Sequence, residues 1–172
     1  MLNQQAKFGG VFTVECRDAD GNLKWTEDFP NLVVNEGLQY INTEFFKGIS
    51  YSATWYMGLV TGPGAGNTYA AGDTMASHAG WAENVAYSQS ARPTMTFGSA
   101  TAADPSVIAT STPVVFTMNS SVTIAGAFVV NENTKSGTSG TLFSVGNFTV
   151  GDRGVVSGDT VNVTYTFSAD AA

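Results

Sequence analysis

Few side chains in this sequence are equipped for catalysis. His78 is the only histidine, and Asp73 and Ser77 precede it in Asp73-Thr74-Met75-Ala76-Ser77-His78. An acid, a hydroxyl and an imidazole are the ingredients of acyl transfer, but that chemistry needs the three held in line by separate elements. Crowded onto one turn they lack that support, and no Gly-x-Ser-x-Gly elbow presents a serine nucleophile. The pattern predicts a capping or loop-closing histidine, on a helical turn capped by Asp73. Cys16 is the only cysteine and lies far from His78, so the chain offers neither a zinc ligand cluster nor an internal disulfide.

Other fragments stop short in the same way. Asp18-x-Asp20-Gly21 is similar to the opening of a calcium loop, but the Glu that closes such a loop is not at the required spacing, and a plain hairpin turn is the better account. Gly62-Pro63-Gly64-Ala65-Gly66 is rich in glycine, yet no Lys-Ser/Thr pair follows it to hold a phosphate. Carboxylates stand singly apart from Glu27-Asp28, so no glycosidase pair emerges. These observations predict a protein that is not an enzyme and that uses no cofactor and no metal.

Aromatic residues are the more suggestive set. Tyr51, Trp55, Tyr56, Tyr69, Trp81 and Tyr87 crowd one stretch of chain. In a protein interface such rings act as anchors, in a carbohydrate-binding module they stack on sugars, and beneath a long crossover they fill a core. Tyr51, Trp55, Tyr56, Tyr69, His78 and Trp81 are the candidate partner interface, because long segments without regular structure inside one domain often carry function.

The elements that must position these residues are strands. Charged residues make up only 12% of the 172-residue chain, about half the ~25% of an ordinary soluble domain. Gly, Ser and Thr are abundant, as in all-β proteins with long surface loops. The seven basic residues stand singly at Lys7, Arg17, Lys24, Lys47, Arg92, Lys135 and Arg153, and the net charge is −7, which argues against binding nucleic acid. No apolar run approaches the ~20 residues of a membrane helix. The first residues show no basic and apolar signal pattern, so the expectation is a protein folded in a reducing compartment and free of the membrane.

The clearest strand closes the chain. Val161, Val163, Tyr165 and Phe167 alternate with Thr160, Asn162, Thr164 and Thr166, one face for a core and one for water. Phe8–Val14 and Leu23–Phe29 form a hairpin around Asp20-Gly21, and Leu32-Val33-Val34 is a short buried run. Leu38, Ile41 and Phe45 have helical spacing behind an Asn35 cap, which predicts one helix over residues 36–46 with its apolar stripe in the core. Further strands are expected at 55–60, 92–100, 113–118, 121–130, 142–145 and within 148–156, with loops at 47–91 and 100–112. The sum is an all-β chain: a jelly-roll-like antiparallel β-sandwich with one short α-helix and long loops, as a flexible arm at 1–7 and a single domain at 8–172.

Several stretches resemble small virion proteins of tailed bacteriophages. They are Asn31-Leu32-Val33-Val34-Asn35-Glu36-Gly37-Leu38, Trp55-Tyr56-Met57-Gly58-Leu59-Val60, Asp73 through Trp81, Arg92-Pro93-Thr94, Val122 through Phe128, and Gly158-Asp159-Thr160-Val161-Asn162-Val163. The resemblance runs over most of residues 31–167 and is closest to capsid decoration, or cement, proteins. It implies a jelly-roll or related sandwich, made in the host bacterial cytoplasm and resident on the virion's capsid surface. The major capsid protein and further copies of the chain, as a homotrimer or homodimer, would be its partners. It transfers no catalytic residue. The alternatives are a tail or tail-fibre component and a carbohydrate-binding β-sandwich module using Trp55, Tyr56 and Trp81.

Overall fold

The computed structural model describes residues 5–48, 54–63 and 66–171. Among them the chain forms twelve strands and one helix in the order β1 (Ala6–Arg17), β2 (Leu23–Pro30), β3 (Leu32–Val33), α1 (Asn35–Lys47), β4 (Trp55–Thr61), β5 (Glu83–Asn84), β6 (Thr94–Met95), β7 (Ser106–Ala109), β8 (Val114–Thr117), β9 (Val122–Val130), β10 (Leu142–Asn147), β11 (Arg153–Val155) and β12 (Thr160–Ala171). Two antiparallel sheets pack together, so the expected all-β sandwich with a single short helix is what the chain forms.

The alternation in β12 does what it predicts. Val161, Val163 and Tyr165 are buried while their neighbours stay half-exposed. β1 pairs with β12 along its whole length, setting Phe12 opposite Tyr165, Val14 opposite Val163 and Cys16 opposite Val161. Each of these pairs puts two apolar side chains on one face, the unit from which a sheet draws its stability. β2 continues this sheet beyond β1, and β7 and β8 share the far edge of β12. The second sheet runs β3-β10-β9-β4-β5, with β6 also on β4 and β11 also on β9. Met57, Leu59, Ile124, Ala127 and Val129 face the first sheet and complete the main core.

The second sheet is buried on its other face as well. Val60, Ala125, Phe128, Val130, Leu142 and Val145 point away from the first sheet and pack with Val34, Met75 and Trp81. The residues between β4 and β5 therefore form a third layer with its own core. Beside that layer a buried ion pair ties β5 to the 131–141 loop. Arg92 sends Nε and one terminal nitrogen to the two oxygens of Glu83 at 2.9 and 2.8 Å, and donates to the carbonyls of Glu132 and Gly137. Its guanidinium lies over the Phe128 ring, and no part of its side chain reaches solvent. Lys135 donates to the carbonyls of Tyr87 and Gln89 from the facing loop.

Several expectations need correction. Residues 73–78 form a tight turn closed by a bridge between Thr74 and Ser77, not a helical turn, because the Asp73 carboxylate accepts from Ala70 N–H and Trp81 Nε1 and holds the chain in a loop. The strand expected at 92–100 is only β6; after Met95 the chain crosses to the first sheet, where Phe97 bridges Thr110, so no single ladder can hold it. The loop expected at 100–112 contains β7, which pairs with Thr166–Ala169 of β12. Asn35 is the first helical residue; Val34 occupies the cap position without a side-chain bond, and Asn35 N–H donates to Ala71 O. The end of the expected arm is not free either: Ala6 and Lys7 are already paired with β12, and residues 1–4 lie outside the described residues.

Breaking a buried ion pair leaves one charge without water or partner, at a cost of ~3–5 kcal/mol. Arg92→Met and Glu83→Met are each expected to lower the urea unfolding free energy by about that amount, and the double variant by clearly less than the sum of the two. Equilibrium unfolding of the four proteins at pH 7 measures this.

Candidate functional site

The residues singled out for chemistry are spent on structure. The His78 ring stacks on Trp81 with centroids 4.0 Å apart, and its Nδ1 lies 3.0 Å from Trp81 O. Asp73, which a triad would need beside the imidazole, bonds the Trp81 indole instead. Histidine and acid thus clasp opposite parts of one tryptophan, the loop-closing role expected of His78. Asp18 closes its hairpin by accepting from the backbone N–H groups of Asp20 and Asn22 and the Asn22 amide. No group of three His, Cys, Asp or Glu that could hold a metal ion occurs among the described residues.

The other buried carboxylates serve the same end. Asp159 accepts from Lys24 Nζ and Val156 N–H. The Cys16 thiol lies 3.9 Å from the same carboxylate. Burial and then the Asp159 charge push that thiol up to about 11, so it remains protonated at neutral pH and has no thiolate with which to react. Glu27 accepts from Arg153, the Thr149 hydroxyl, and the N–H groups of Thr149 and Val150, tying β2 to the turn after β10. Burial alone would raise its pKa, but the Arg153 guanidinium and the Thr149 and Val150 bonds outweigh it and hold the carboxyl below the ordinary value.

The proposed interface aromatics take different places. Trp81 is 5% exposed and rests on Phe128 in the second core, so this chain does not offer its ring to a partner. Tyr56 is half-buried against that core. Tyr69 is half-buried, stacked near Trp81, with its hydroxyl 2.8 Å from Asn147 Oδ1. Trp55 sits elsewhere, edge-on to Tyr40 at 5.2 Å and to Phe143 at 5.4 Å. Tyr51 lies outside the described residues. The five described ones do not make one surface: Tyr56, on β4, faces the third layer that holds Tyr69, His78 and Trp81, and Trp55 belongs to the end of the sandwich beneath α1.

That end exposes apolar surface. α1 packs closely on β10 at its start, where a Cβ on Gly37 would run into the Phe143 carbonyl. It ends on Gly48 in the left-handed conformation, φ 61°, whose N–H caps Glu44 O. Between these points the helix rises off the core. Ile41 still packs on it, but Phe45 and Phe46 are 80% and 78% exposed, and Leu38 is exposed as well. The stripe expected to pack inside is therefore only partly buried, because one short helix spans the sandwich end and, among the described residues, no other element covers its outer face. On one side Leu38 and Asn42 face Phe8 and Leu32 across a shallow groove. On the other, α1 roofs a cavity of about 730 Å³ between the sheets. Trp55, Met95 and Val129 come from one sheet and Tyr165 and Phe167 from the other. Glu44 also lines this cavity, and its Oε2 is buried with no hydrogen-bond partner.

The residue patterns did not single out Glu44. A signal was there: it lies four residues after Tyr40 and three after Ile41, so an acid shares the helix face that carries the inward apolar residues. No protein-family model, no curated protein and no solved structure matches the chain.

Two measurements check this account. The Cys16 thiol is expected to resist a thiol reagent such as DTNB in native buffer at pH 8 and to react fully in urea, read by absorbance. Glu27 has a lowered folded-state pKa, so its contribution is complete above the unfolded value of ~4.3 and is lost as the pH falls through the folded value. The stability advantage of the wild type over Glu27→Gln, from urea titrations at pH 7, 5, 4 and 3, should therefore hold to about pH 5 and shrink below it.

Proposed function

We propose that this chain is a non-enzymatic interaction protein: a decoration protein of a tailed-bacteriophage virion that binds the outer capsid surface where major capsid subunits meet and stabilises the shell. The observation that carries the reading is the exposed end of α1. Phe45 and Phe46 form an edge-to-face pair at 4.9 Å and stand almost wholly in solvent. With Leu38 and Phe8 they give one end of the sandwich an apolar face. Adjacent exposed phenylalanines are costly to leave uncovered, and clusters of this kind mark contact surfaces.

The rest of the architecture suits a load-bearing role. Two packed sheets, a third layer on the second of them and a buried Arg92–Glu83 pair that ties β5 to the 131–141 loop make a stiff body. The buried carboxylates described above hold segments together and leave little for catalysis. Many copies on a repeating shell would gain by multivalency what each contact lacks in affinity. The resemblance in residues 31–167 to capsid decoration proteins points the same way, with the major capsid protein and other copies of the chain as partners.

Particles with and without the protein test this directly. Decorated particles are expected to survive heating and osmotic shock better, with copies in the hundreds on a stained gel; equal survival sinks the cement role, and a handful of copies indicates a tail component. Replacing both phenylalanines, Phe45→Ser with Phe46→Ser, removes no buried side chain and should change stability by no more than ~0.5 kcal/mol. The same variant is expected to lose binding to undecorated particles in a co-sedimentation assay.

A further inference from the structure

We propose that the cavity roofed by α1 is a binding site for a small organic cation, an ammonium head on a hydrocarbon or aromatic body. This goes beyond the decoration role and does not rest on it. The cavity is about 730 Å³, within the ~300–1,000 Å³ of small-molecule sites. Its walls are mainly apolar: Ile41, Met95, Val129, Phe143 and Phe167. Such walls take up a hydrocarbon body by the ordinary gain of removing apolar surface from water.

Glu44 sets the kind of head group. Its Oε2 is shielded from solvent and has no hydrogen-bond partner, which is costly for a carboxylate oxygen. The carboxylates of Glu27, Glu83 and Asp159 each hold a Lys or Arg of this chain, and that of Asp73 is met by Ala70 N–H and the Trp81 indole. Glu44 forms no such pair among the described residues. The carboxylate turns readily about its last torsion, which is broad, so an oxygen can meet a donor placed in the cavity. Tyr40 lies one helical turn before Glu44 and packs edge-on against Trp55 at 5.2 Å, and all three line the cavity. A carboxylate oxygen without a donor in an apolar cavity favours a cationic head by charge-assisted hydrogen bonding, and the two rings add apolar wall for the body. An anion would meet repulsion from Glu44, and a neutral hydrocarbon would leave its oxygen unpaired.

Three probes of equal length separate these terms: n-octylammonium, 1-octanol and octanoate, titrated at pH 7 by calorimetry and followed by tryptophan fluorescence, since Trp55 lines the cavity. The ammonium is expected to bind about tenfold more tightly than the alcohol, the difference between a charge-assisted and a neutral hydrogen bond. Octanoate should bind weakest. Glu44→Gln should bring ammonium and alcohol to within about twofold of each other. Val129→Phe, or Ile108→Phe if the first variant does not fold, should weaken all three by filling the space. Equal affinity for ammonium and alcohol in the wild type, undiminished ammonium preference in Glu44→Gln, or no saturable binding of any probe below about 1 mM would each overturn the assignment.

Discussion

Seven consecutive residues of β9, Ile124 to Val130, are buried, and a strand that hides both faces must be covered twice. The architecture follows from that requirement. On one side the β1–β12 sheet supplies Phe12, Val14, Val163 and Tyr165. On the other no second full sheet exists, so the residues between β4 and β5 fold back and set Met75 and Trp81 against Phe128 and Val130. Cover built from irregular chain leaves many backbone groups to satisfy. Asp73 meets one of them within the layer, the N–H of Ala70, and Arg92, Lys135 and Glu83 do the same for the neighbouring 87–89 and 132–137 loops.

This explains how the ionisable residues are used. A protein with so few charges places several of them inside, each on a different seam: Glu27 with Arg153 between β2 and β11, Asp159 with Lys24 across the start of β12, Glu83 with Arg92 under the third layer. Each carboxylate accepts more than one bond, which offsets the desolvation of its charge. Chemistry that would need a free base or nucleophile finds these groups already committed. Glu44 differs because it faces an unfilled volume and no seam.

The end of the sandwich under α1 is where packing stops. The two sheets close on each other through Phe12, Tyr165 and Met57, but toward Phe167, Met95 and Trp55 they leave a space that one helix only roofs. The same geometry that opens the cavity lifts Phe45 and Phe46 into solvent. The exposed phenylalanines and the open cavity thus share one cause, a helix that roofs the edge it spans without sealing it.

Much of the fold was legible in the residues because strands and hairpins are local patterns. The period-two alternation of Val161 to Phe167 named the core face of β12, Asp20-Gly21 named the first hairpin, and Leu38-Ile41-Phe45 named the helix. Which side of each element ended up covered was not local. Trp81 and Phe45 look alike on paper, large apolar residues among polar ones. Yet Trp81 is buried because a distant strand offers it Phe128, and Phe45 is exposed because no described element packs above α1. In the same way Asp73 and His78 sit close enough in sequence to suggest a base and its acid, but Trp81 engages both, Asp73 through its indole N–H and His78 through ring stacking. Sequence by itself determined the long strands and the helix, since these depend on side chains a few positions apart. Only the tertiary structure decided which side chains were committed and which left free, since that depends on groups brought together from the far ends of the chain.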